Sequence, residues 1–217
     1  EYCEGSSMFE LLHNHWEIRL SWPQRLTMLY DTTSAVNYLH TRQIPIIHRD
    51  LKSLNVFLKS PVFDTSSEIM VRLADFGFSR TLTQEDIDSG TLTVCAGTLH
   101  WMAPEVATGR YNLKADTFSL GIIMYEVMCR HMAYEDLEPE AAAERYAQGS
   151  RPPVRMHDNG FAPKPLAQLM AECWQADPDA RPPCSSVALR LYQLQATMEM
   201  ALQRQGQAGA GGSGRKP

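Results

Sequence analysis

The segment Asp116 to Arg130 constrains the fold most, because it is apolar on nearly every side. A helix with no polar face must be buried all round, so the rest of the chain has to pack about it. Its longest apolar run, Phe118 to Cys129, is interrupted by Glu126 and is too short to cross a bilayer, so no membrane span is expected. Other helices follow from periodicity. Ser21-Trp22-Pro23 reads as a helix start, with serine as cap and proline in the first turn. Leu26, Leu29, Thr33, Val36 and Leu39 then recur at helical intervals, carrying that helix to about His40. Shorter helical patterns cover 7–15, 138–148 and 164–174. Val187, Leu191, Leu194 and Met198 mark one face of a last helix over 185–203.

Strand signals are few. Alternating apolar residues between Ile44 and Leu58, with Pro45, predict loops and short strands, and Ile69 to Ala74 predicts a strand running into Asp75-Phe76-Gly77. Residues 60–67 are rich in Ser, Pro, Asp and Thr and read as a surface insertion. From Ser79 to Gly97 the chain turns polar, which predicts a long exposed loop, and such loops in compact domains are usually functional or disordered. Gly206 to Pro217 is of low complexity. The expected fold is mainly α with a few short strands, as one domain over 1–203 followed by a disordered Gly-rich tail over 204–217.

Composition narrows the function. The chain has 217 residues, 44% hydrophobic and 21% charged, which suits one globular domain. A net charge of −5 argues against nucleic acid as a partner, since phosphate backbones recruit concentrated Lys and Arg. The five cysteines, Cys3, Cys95, Cys129, Cys173 and Cys184, are scattered and form no C-x-x-C pair. Neither a disulfide framework nor a zinc site is indicated, and a reducing, cytoplasmic compartment is the default. Glu1 is not methionine, and the residues after it resemble no signal or transit peptide, so the chain reads as opening in the middle of a domain.

The strongest motif is His48-Arg49-Asp50-Leu51-Lys52-Ser53-Leu54-Asn55. It resembles the catalytic loop of eukaryotic protein kinases, H-R-D-L-x-x-x-N. Phosphoryl transfer explains the residue types, because the enzyme mainly positions and neutralises a group whose charge is spread over three oxygens. The resemblance implies that Asp50 orients the acceptor hydroxyl and takes its proton. An aspartate of ordinary pKa near ~4 is a weak base, so positioning is its larger role. Lys52 is implied to neutralise the γ-phosphate, and Asn55 to ligate Mg²⁺ through its amide oxygen.

Asp75-Phe76-Gly77 follows at the family's order and scale, the insertion at 60–67 absorbing extra length. By resemblance Asp75 holds a Mg²⁺ bridging the ATP phosphates, as a hard cation favours carboxylate oxygen. Gly77 is expected to take backbone angles that a Cβ would penalise. Ala103-Pro104-Glu105 matches the family's A-P-E, with Arg181 in the place of its late arginine partner. Asp116 matches a buried aspartate whose carboxylate accepts backbone N–H groups of the catalytic loop. Glu1-Tyr2-Cys3-Glu4-Gly5 resembles the hinge between two lobes, where backbone groups of Glu1 and Cys3 bond adenine. Phe57 falls where the family usually places an aliphatic residue beneath adenine.

Lys52, two residues after Asp50, is the serine/threonine pattern. Thr98 matches the threonine that bonds the catalytic aspartate and lysine in such enzymes, while Trp101-Met102-Ala103-Pro104-Glu105 is shared with tyrosine kinases. The chain thus resembles the tyrosine-kinase-like group of serine/threonine kinases. Arg49 is implied to pair with an activating phosphate, for which Thr91 and Thr93 are the best-placed acceptors, and an upstream kinase would supply it.

The resemblance covers residues 1 to about 200, from the hinge through the helical C-terminal lobe. No Gly-x-Gly-x-x-Gly and no Val-Ala-x-Lys occurs, so the N-terminal lobe is expected to be absent and the chain to be inactive alone. The implied function is an ATP- and Mg²⁺-dependent kinase acting on serine or threonine of protein substrates. The alternative is a pseudokinase or truncated lobe serving as a binding scaffold, against which the intact Asp50, Lys52, Asn55 and Asp75 argue. A tyrosine kinase is a third reading.

Overall fold

A computed structural model describes residues 1–82, 99–156 and 162–210, the last six of these as backbone alone. Five α-helices are present among them: α1 (Trp22–His40), α2 (Lys114–Cys129), α3 (Pro139–Ala147), α4 (Lys164–Cys173) and α5 (Cys184–Ala210). Four short strands accompany them: β1 (Ile46–Ile47), β2 (Val56–Leu58), β3 (Val71–Leu73) and β4 (Arg80–Thr81).

The all-apolar segment forms α2, and every residue from Ala115 to Cys129 is buried. Helix α1 packs on it and on α5, and α4 packs on it as well. Ser21 and Gln24 form a reciprocal capping box that fixes where α1 begins, and Leu26, Leu29, Thr33, Val36 and Leu39 all face inward. Helix α5 continues to Ala210, seven residues past the expected end, with Val187 and Leu191 fully buried on its inner face.

Two buried arginines tie the end of α2 to the N-terminal third of the chain. Arg25 donates to the carbonyls of Leu20, Val127 and Met128 at 3.3, 3.0 and 3.0 Å. Arg130, left-handed at φ 55, donates to the carbonyls of Leu11, Leu12, His15, Trp16 and Ile18. Both guanidiniums thereby satisfy carbonyls that loop and helix ends leave unpaired, which offsets the cost of burying charge.

The strands form two antiparallel pairs, β1 with β4 and β2 with β3. The expected strand over 69–74 is shorter, because only Val71, Arg72 and Leu73 find ladder partners on β2. Nor is the insertion at 60–67 all surface. Val62 is buried, and the amide of Gln24 donates to the carbonyls of Asp64 and Ser67, both at 2.8 Å.

Candidate active site

The turn Ser53–Asn55 leads straight into β2, so the ladder with β3 fixes where the 48–55 loop sits. Its last bond runs from Ala74 N to Asn55 O at 2.9 Å. Asn55 and Asp75, the two expected metal ligands, are thereby brought to the same end of one hairpin. Asp50 is buried beside them. Lys52 Nζ donates to its Oδ2 at 2.7 Å, and Asn55 Nδ2 donates to the same oxygen at 3.0 Å and to the Asp50 carbonyl at 2.8 Å. Among the described residues both side-chain donors take Oδ2.

Asp116 anchors the loop from below. Its Oδ2 accepts the His48 N–H at 2.8 Å and its Oδ1 the Arg49 N–H at 3.0 Å. This holds Arg49 at φ 68, a left-handed conformation that costs a non-glycine residue about 1–2 kcal/mol. The Arg49 guanidinium donates to the Phe78 carbonyl and lies 3.3 Å from the Tyr111 hydroxyl. The buried His48 ring reaches the Ala74 carbonyl at 3.1 Å and lies 5.3 Å from the half-exposed ring of Phe76.

Sequence reasoning missed His40. Its Nε2 lies 2.8 Å from Asp116 Oδ2, at the end of α1. Burial alone would lower its pKa, but the Asp116 hydrogen bond, with Cys184 secondary, raises it to about 10. Its only sequence signal was a polar residue ending an apolar helix face. Glu126 was read as a mere interruption of an apolar run, yet it accepts hydrogen bonds from distant segments.

Gly77 departs from expectation. It does not take a left-handed φ; that conformation falls on Asp75, at φ 60. Glycine suits position 77 for another reason, since a Cβ there would stand 3.2 Å from Asp75 Oδ1, whose carboxylate accepts the Gly77 N–H at 3.3 Å.

Residues 4–7 run beside β2. Gly5 N donates to Leu58 O at 3.1 Å, and Leu58 N to Ser6 O at 2.9 Å. Gly5 is required for this approach, because a Cβ would lie 2.2 Å from the Ser60 carbonyl oxygen. The pairing sets residues 1–3 opposite Phe57 and the 72–76 stretch, around a cleft of about 490 Å³ that Asp75 also borders. Glu1 there pairs with Arg72 Nε at 2.9 Å, and that hydrogen bond lowers its carboxyl pKa. Glu105 and Arg181 meet as a two-pronged ion pair at 2.5 and 2.9 Å. Thr91, Thr93 and Thr98 lie outside the described residues. No helix among the described residues is long and apolar enough to cross a membrane.

The chain is 36% identical over 204 residues to the human serine/threonine-protein kinase TNNI3K, covering 92% of this chain and 23% of that protein. It is 35% identical over 196 residues to the Arabidopsis thaliana serine/threonine-protein kinase STY17, covering 89% and 31%. To the Dictyostelium discoideum dual specificity protein kinase splA it is 29% identical over 204 residues, covering 90% and 8%. The chain thus spans less than a third of each of these relatives. Residues 1–191 match the protein tyrosine and serine/threonine kinase family, and the chain belongs to it.

Proposed function

We propose that this chain carries the hinge and catalytic loop of an ATP- and Mg²⁺-dependent kinase that phosphorylates serine or threonine in protein substrates. The observation that carries the reading is the convergence of Lys52 and Asn55 on one oxygen of Asp50, with Asn55 bonded through its carbonyl to Ala74 beside Asp75.

The donors suit a magnesium ion. Asp75 offers an exposed carboxylate, and the Asn55 amide turns its nitrogen inward to Asp50, leaving its oxygen as the outer donor. When bound, the ion would neutralise phosphate charge during transfer. Asp50 orients the incoming hydroxyl and receives its proton on Oδ1. Lys52 holds Oδ2 and adds positive charge beside the transferring group. Backbone groups of Glu1 and Cys3, with Phe57 beneath, would take adenine in the cleft. Thr98 would bond Asp50 and Lys52, and Arg49 would receive a phosphate on Thr91 or Thr93. The family's glycine-rich loop and strand lysine are not among these 217 residues, so the chain alone should transfer phosphate negligibly.

The test is a radiolabelled-phosphate assay on the full natural protein with and without Asp50→Asn, followed by phosphoamino-acid analysis. Transfer to serine or threonine that falls at least ~100-fold in the variant supports the reading. Background-level transfer from both proteins favours a binding scaffold, equal transfer above background removes Asp50 from the chemistry, and phosphotyrosine as the product overturns the specificity.

A further inference from the structure

Residues 60–67 are extra length relative to the family's pattern, and hydrogen bonds within them fix their shape. Asp64 Oδ1 accepts the N–H groups of Ser66 and Ser67 at 2.8 and 3.1 Å, and Ser67 Oγ accepts those of Phe63 and Asp64 at 3.0 and 3.2 Å. The Gln24 amide of α1 clamps the same loop through two carbonyls, and Val62 is buried. Phe63, by contrast, is 76% exposed. Burying an aromatic ring would stabilise the fold, and a loop held this firmly forgoes that gain. The ring does not stand alone. With Leu11, Ile18 and Val62 it lines a groove of about 370 Å³, in the size range of pockets that hold a ligand or a few side chains, about 300–1,000 Å³. Glu4 and Glu10 line it too. Among the described residues its lining holds one basic side chain, His15, whose ring is 3.2 Å from Glu17 and 3.7 Å from Glu10. Carboxylates therefore outnumber bases around an apolar floor.

We propose that this groove docks an extended segment of a partner protein that carries an aliphatic side chain beside lysine or arginine. The aliphatic group packs against Phe63 and Ile18, and the loop already holds the aromatic ring in place, so little ordering is lost on binding. The cation sits by Glu4 and Glu10, and charge complementarity selects basic segments over acidic ones. A contact this small is weak and reversible. The groove shares no lining residue with the cleft of residues 1–3, Phe57 and 72–76, so docking there does not depend on nucleotide or on phosphate transfer.

The test selects a phage-displayed library of random dodecapeptides on the full natural protein and, in parallel, on its Phe63→Ala variant. The wild-type pool should be enriched in Lys or Arg near Leu, Ile or Met, and the variant should lose that enrichment. A synthetic peptide of the most enriched sequence should bind Phe63→Ala at least ~10-fold more weakly, an aromatic anchor being removed. Glu10→Gln should bind it about threefold more weakly, with a shallower loss of affinity between about 50 and 200 mM salt, because one charge is neutralised. Phe63→Ala should keep its thermal midpoint within about 2 °C, since the ring is mostly in solvent. If that variant proves unstable, Glu10→Gln decides alone. A pool that is acidic, that lacks any consensus, or that is the same for both proteins would overturn the proposal. So would concentration-dependent dimerisation that Phe63→Ala abolishes, because the groove would then take a second copy of this chain.

Discussion

Arg181 spends all five guanidinium N–H groups, two of them on Glu105. Nη1 and Nη2 grip the two carboxylate oxygens at 2.5 and 2.9 Å, and the remaining donors go to the carbonyls of Gln175, Lys114 and Ala176. The residues are 76 positions apart, so this pair joins the Pro104–Thr108 turn to the loop between α4 and α5.

Truncating one partner of such a pair leaves the other charge nearly buried and unpaired, which costs about 3–5 kcal/mol. Arg181→Ala should therefore lower the thermal midpoint by roughly 10 °C in a chain of this size. Arg181→Lys should recover little, because an ammonium cannot reproduce the planar fork. A midpoint within about 2 °C of wild type in a calorimetric scan would contradict this.

His40 makes stability fall as pH rises. Its pKa is about 10 in the fold against 6.5 for the ordinary group, so the native state holds the proton more tightly than the unfolded chain. The contribution is complete below pH ~6.5 and is lost progressively as pH rises toward 10. The window to examine is pH 7 to 8.5. Above ~9 the buried Cys129 thiol, pushed up to about 11 by desolvation, adds its own dependence. Urea midpoints should decline across pH 7 to 8.5 in the wild type and flatten in His40→Gln. Identical slopes for the two proteins would rule out the His40–Asp116 pair as the cause.

Gly121 of α2 lies against the C-terminal end of α4. An added Cβ would stand 3.1 Å from the Cβ atoms of Cys173 and Trp174 and from the Trp174 backbone nitrogen. Alanine gains about 1 kcal/mol of helix propensity over glycine. Overpacking against backbone costs about 1–3 kcal/mol, and a backbone atom cannot rotate aside. The clash should win, so Gly121→Ala is expected to be net destabilising by about 1 kcal/mol on chemical denaturation. A stabilised variant would show that the two helices can part.

Elements governed by local rules were legible in the sequence. The all-round apolar segment became the fully buried α2, and Ser21 became the cap of α1. Pairings between distant residues were legible only through family resemblance, as with Glu105 and Arg181, because spacing alone says nothing about contacts 76 residues apart. Where neither applied, the reading failed. Glu126 reads as a flaw in an apolar run because its donors at 13, 53 and 101 arrive from three separate segments. Unusual backbone angles were expected at Gly77 on residue type, whereas the left-handed φ falls on Asp75.

That misplacement makes Asp75 a residue where stability and function should separate. At φ 60 an aspartate pays a backbone penalty that glycine does not, and strain of this kind gathers at functional sites. The side chain is exposed and accepts the Gly77 N–H at 3.3 Å, so little packing is at risk. Asp75→Gly should therefore leave the thermal midpoint unchanged or raise it, by up to about 1 kcal/mol in stability. On the kinase reading the same change removes the exposed carboxylate that would hold Mg²⁺, so phosphate transfer by the full protein should fall at least ~100-fold. Asp75→Ala separates the causes, for it loses the carboxylate and keeps the strain. It should match the glycine variant in activity and fall below it in stability. Two variants equally stable would mean that the left-handed geometry relaxes at no cost, and retained transfer would remove Asp75 from the metal site.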